Sequence, residues 1–175
     1  MDFEPANRCD DVDVRWLRLS SLLVVGMLVA CGHGSHESLV LDRSIGVVRL
    51  KESRARIEQD IGKGRLVSSK LDRSARPEPL REEQVAYEKP NLVVWYLSDR
   101  HHTPSAVVLK TTSSRYRTKS GIGVGASFTQ LRKVGVNCHD TNCQHFQGHN
   151  KPGTLFRLTA PRGRVAQIYV IASVD

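Results

Sequence analysis

A short apolar run closed by a cysteine divides this 175-residue chain and decides how much of it is left to fold. Leu19 to Ala30 are twelve apolar or small residues, preceded by Arg15 and Arg18 and followed directly by Cys31 and Gly32. A membrane span needs about 20 residues, so the run is too short to cross a bilayer. Its length fits a signal-peptide core, with the cations on the side that stays cytoplasmic during export. Beyond Cys31 the composition is polar and mixed, and the fold must be made from those residues.

Leu28-Val29-Ala30-Cys31 fits all four positions of a known pattern and resembles the lipobox of bacterial lipoproteins. In that family the cysteine sulfur is diacylated, the chain is cut before it, and the new amino terminus is usually acylated too. The resemblance implies a signal peptide over 1–30, a palmitate-type lipid anchor and tether over 31–43, and one domain over 44–175. It places the protein at the cell membrane or outer membrane, facing outside the cytoplasm. One acyl chain gives only marginal attachment, at about 0.8 kcal/mol per buried methylene, whereas two or three hold firmly. Gly32 is not the aspartate that retains many such proteins at the inner membrane. Asp2, Glu4, Asp10, Asp11 and Asp13 are unusual in a basic leader. One explanation is initiation nearer Val12 or Val14, which would leave Cys9 out.

Cut before Cys31, the chain keeps 145 residues, with 23 basic against 13 acidic, and its net charge rises from +8 to +10. That length suits one domain, burying about 68–70% of its unfolded surface. A basic exported domain is drawn to anionic phospholipid heads, acidic wall polymers or an acidic protein partner. Nucleic acid suits the charge, but export removes it from the expected partners. Beyond Cys31 the cysteines are Cys138 and Cys143 alone, which read as a disulfide in an oxidising envelope. So short a loop gives about 2 kcal/mol.

Along the chain, Gly32 to Leu41 reads as a tether, with His33 and His36 solvated. Ser53 caps a short helix to Ile61 that presents Ile57 and Ile61 at i, i+4 spacing and stops at Gly62. Residues 63–82 read as irregular and charged, with one brief strand at 65–67. Leu92–Leu97 and Ala106–Thr111 are β-branched and aromatic and form a hairpin. Ser127 and Gln130 form the capping box of a second helix to Val134. A cysteine loop, 136–153, then leads to strands 154–158 and 164–171, turned by Pro161-Arg162-Gly163. The expected class is α+β: one antiparallel sheet of about four strands with two short helices on one face. Both halves run Ile-Gly-Val (from Ile45 and Ile122), then a capping serine, then an aliphatic residue four later (Ile57 and Leu131). That suggests a tandem helix-hairpin duplication.

Gly121-Ile-Gly-Val124 before a Ser-capped helix, with a closing hairpin containing Arg164-Val-Ala-Gln-Ile168, resembles small helix-on-sheet modules of secreted bacterial proteins. These are the β-lactamase inhibitor protein-like fold and the small lipoprotein of the outer-membrane barrel assembly machinery. The resemblance spans 44–172 in layout and implies protein binding without chemistry.

Cys138, Cys143, His145 and His149 offer zinc-type ligands, but their spacing departs from the common modules. His101-His102 reads as a solvated loop tip. Gly121, Gly123 and Gly125 miss the dinucleotide spacing and lack its βαβ context. Arg115, Arg117, Lys119, Arg132 and Lys133 form a basic group around the second helix, a candidate anion-facing patch. No cofactor or catalytic grouping is indicated. The expected role is a binding or scaffolding module of the cell envelope, with inhibition of an extracytoplasmic hydrolase as the alternative. A contiguous apolar patch on the sheet's free face would favour protein binding; a deep histidine-lined pocket would favour catalysis.

Overall fold

A computed structural model of the chain describes residues 37–75, 77–146, 148 and 150–173. Cys31, His33, His36, His149 and the 1–30 leader lie outside them. The described chain runs through twelve strands and two helices. They are β1 (Glu37–Val40), β2 (Ser44–Ile45), β3 (Val48–Arg49), α1 (Arg54–Ile61), β4 (Arg65–Asp72), β5 (Leu80–Tyr87), β6 (Leu92–Ser98) and β7 (Ser105–Thr111). Then follow β8 (Tyr116–Arg117), α2 (Phe128–Lys133), β9 (Asn137–His139), β10 (Asn142–Phe146), β11 (Gly153–Leu158) and β12 (Val165–Ile171).

The molecule is mostly β, which corrects the expected four-stranded α+β domain. One sheet has eight strands, in the order β4-β5-β6-β7-β12-β11-β10-β9; the other has four, β3-β2-β1-β8. The missed strands have a common cause. Every residue of β4 is exposed, so it shows no apolar alternation, and after Leu80 β5 runs through the polar stretch Arg81-Glu-Glu-Gln84. Between them they take up 65–72 and 80–82 of the stretch expected to be irregular beyond a brief strand at 65–67. The expected cysteine loop is the β9–β10 hairpin, polar enough to read as a connection. Residues 37–43, read as the end of a tether, form β1 and the turn after it, with Leu39 buried.

Each half of the large sheet is a helix followed by a four-strand meander, and the halves meet at the antiparallel pair β7–β12. The helix entries are made alike. Ser53 and Ser127 accept from the backbone N–H groups of Arg56 and Gln130, and bridge to Ser105 and Arg164 at the heads of the fourth strands. Lys51 and Gly125 donate to the carbonyls of Ala106 and Val165. This equivalence aligns Ser53 with Ser127 and Lys51 with Gly125, so it does not align the Ile-Gly-Val motifs, which lie three residues out of step. The repeating unit is a helix with four strands, not a helix with a hairpin.

Alternation then separates the faces. Val85, Val94, Leu109 and Val170 are mutual Cα partners across four strands and all are buried. Ile57 of α1 and Leu131 of α2 join the same core cluster, as do Leu39, Ile45 and Val48 of the small sheet. Both helices and the small sheet therefore cover one face. The Arg54 guanidinium ties α1 to Glu83 of β5 at 3.0 Å. The β1–β2 turn is clasped to the other half: Asp42 accepts from the Thr154 hydroxyl at 2.8 Å and pairs with His145 Nδ1 at 2.8 Å.

Candidate binding face

The other face of the eight-stranded sheet carries no covering element among the described residues. Register lines its side chains up in two rungs that each cross six strands. One runs Gln84, Trp95, Val108, Ile171, Gly153, Phe146; the other Ala86, Val93, Lys110, Tyr169, Leu155, Gln144. Trp95 and Tyr169 sit diagonally across β7, ring centroids 6.3 Å apart and tilted by 44°. The Lys110 ammonium lies 5.5 Å from the Tyr169 centroid, a cation–π contact. At Gly153 a Cβ would meet the Phe146 ring. The glycine thus lets that ring, itself 49% exposed, lie down over β11. Trp95, Val93, Val108, Tyr169 and Ile171 are all half-buried, shielded by one another and not by a second layer. The result is a continuous aromatic and aliphatic band flanked by glutamines and one lysine.

Behind the band lie tyrosine hydroxyls paired inside the molecule, one pair buried and one part-buried. The Tyr87 and Tyr96 hydroxyls lie 2.7 Å apart; burial pushes both phenols up, and the Tyr87 hydroxyl pushes Tyr96 further while the Tyr96 hydroxyl partly offsets the shift at Tyr87. Tyr116 donates to the Pro90 carbonyl at 2.8 Å, and burial, followed by the nearby Glu37 carboxylate, pushes its phenol up as well.

The residues singled out from the sequence lie elsewhere. Cys138 and Cys143 are bonded, with Cα atoms 3.9 Å apart, and stand opposite each other in the β9–β10 ladder. That pairing takes both sulfurs from any metal set, and His145 is turned to Asp42. Among the described residues no group of three or more His, Cys, Asp or Glu is arranged around a cation. His102 Nδ1 sits 2.8 Å from Asp99, and His101 Nε2 3.2 Å from Glu78, both exposed at the β6–β7 tip. The His102 ring and the His101 backbone N–H hold the Asp99 carboxyl below its usual value. Arg115 pairs with Glu37 at 3.4 Å and Arg117 donates to the Gly121 carbonyl. Lys119 is exposed, as are Arg132 and Lys133 on the last turn of α2. Among the described residues no hydrogen bond or ion pair joins the 115–119 group to α2.

The open face could not be assembled from sequence, because half of each rung belongs to the other meander. The alternation of Trp95 with buried Val94 and Tyr96, and of Tyr169 with buried Ile168 and Val170, is the one signal that points to it.

No protein-family model matches this sequence, and no curated protein does. Among solved structures it is similar to the uncharacterized protein yfeY from Escherichia coli, at 13% identity and a TM-score of 0.43, over 77% of this chain and 98% of that one. No described helix is long and apolar enough to cross a membrane.

Proposed function

We propose that this chain is a lipid-anchored cell-envelope protein whose domain binds a protein partner through the open face of the eight-stranded sheet, without chemistry of its own. The observation that carries the binding role is the Trp95–Tyr169–Lys110 band, centred on the β7–β12 pair and left bare by the elements that cover the opposite face. Rigid aromatics surrounded by half-buried aliphatics and a polar rim are what protein interfaces use as anchors. The lipobox Leu28–Cys31 and the apolar run before it support the envelope location. The non-catalytic reading is supported by the histidines: His102 and His145 are each paired with a carboxylate, and among the described residues no cysteine or serine nucleophile hydrogen-bonds to either ring.

The test is capture from the native envelope by the tagged full-length protein, wild type against Trp95→Ala/Tyr169→Ala. Truncating two central anchors should lower recovery of the specific partner more than ten-fold, while Thr129→Ala on exposed α2 leaves it unchanged. Equal recovery by the double variant would reject the open face as the binding surface. A captured hydrolase that the domain slows would identify the module as an inhibitor.

A further inference from the structure

On the covered side of the molecule two clefts adjoin around the β1–β2 turn and β3. One, of about 810 Å³, is lined by Ser38, Val40, Arg43, Arg49 and residues of α1; the other, of about 570 Å³, by Val40, Arg43, Arg49, Lys51 and Lys151. The carboxylates in them are engaged. Asp42 holds His145 and Thr154, Asp60 pairs with Arg56 at 3.2 Å, and Glu52 accepts from the Arg49 backbone N–H. Among the described residues, the Arg43, Arg49, Lys51 and Lys151 side chains take no carboxylate partner. Beside these cations two aliphatic side chains stand out in solvent: Val40 is 44% exposed and Val47, at the β2–β3 turn, is 61% exposed. Free cations around projecting aliphatics are the combination that peripheral proteins present to a charged bilayer, the cations meeting headgroups and the aliphatics reaching the acyl boundary.

We propose that this basic, valine-tipped face is where the domain lies on an anionic phospholipid bilayer. The inference rests in part on the lipid anchor proposed above. β1, which forms the floor of the first cleft, begins at Glu37, six residues after Cys31. Six residues span at most about 20 Å, so an anchored Cys31 would hold the start of β1 within about two Debye lengths of the headgroups. The small sheet and α1 lie on the covered face of the large sheet. Contact here therefore turns the Trp95–Tyr169 band away from the membrane, toward a partner arriving from outside.

The experiment uses the full chain carrying Cys31→Ser, so that no acyl chain contributes. It is floated with vesicles of phosphatidylcholine alone or mixed equally with phosphatidylglycerol. The apolar run 19–30 is present in every arm, so the differences between vesicles and between variants are what is read. Binding should be tighter to the anionic vesicles and weaken with salt. Arg43→Gln/Arg49→Gln should reduce it about twenty-five-fold, at about five-fold per cation, and Val47→Asp should reduce it too. Arg132→Gln/Lys133→Gln, equally basic but on α2, should leave it unchanged. Equal binding to both vesicles, or an equal loss in the α2 pair, overturns the proposal. Labelling the wild-type protein with an alkyne fatty acid in cells tests the anchor separately: label that persists in Cys31→Ser would remove the anchor and leave the vesicle result readable.

Discussion

At the scale of residues, the two helix entries make the same backbone demand and meet it differently. Lys51 and Gly125 both hold positive φ, at 67° and 88°, while donating to the head of a fourth strand. A left-handed lysine is strained by roughly 1–2 kcal/mol, whereas glycine takes that conformation freely. A Cβ on Gly125 would meet nothing within 4 Å, so Gly125→Ala isolates backbone strain and should destabilise by about 1 kcal/mol. Lys51→Gly relieves strain but loosens the unfolded chain, and should stabilise by up to about 1 kcal/mol. Denaturant melts of the two variants check this; shifts of the same sign would mean the entries are not equivalent.

Among the elements, those whose own side chains enter the core were legible, and those that the sheet recruits at its edges were not. Ser53 and Ser127 announce both helices, because a cap is written in local hydrogen bonding. Strands β6, β7, β11 and β12 show their alternation because one face of each is buried. Edge strand β4 buries nothing, and β5 shows period two only from Val85 to Tyr87. Residues 137–139 owe their place to the disulfide and to a three-pair ladder with β10. Replacing Cys138 and Cys143 by alanine should therefore cost about 2 kcal/mol and release β9 specifically. Amide exchange should quicken at Asn137–His139 and stay slow in β11. Unchanged exchange at β9 would show that the ladder alone holds this edge.

For the whole molecule, what escapes the sequence is the pairing of distant parts. Asp42 finds Thr154 and His145 across more than a hundred residues, and Trp95 finds Tyr169 across the seam between meanders; no local pattern encodes either. The open aromatic face was not legible, because it exists only once the halves are joined. That join also governs the order of assembly. Every other ladder of the large sheet connects strands adjacent in the chain, but β7–β12 brings Thr111 to Ile168, 57 positions away. Hairpins zip in microseconds, whereas closing so long a loop is slow and its entropy must be met before its contacts form. The seam is thus the expected rate-determining event, with the two meanders formed before it. Val170→Ala, within that ladder, should slow refolding about ten-fold, while Leu66→Ala on the exposed β4 edge should leave both rates close to the wild type. A chevron in which Val170→Ala refolds at the wild-type rate would place the barrier inside a meander. Until the seam closes, the chain has two half-sheets with raw edges, so the open aromatic face can form no faster than residues 108–111 and 168–171 meet.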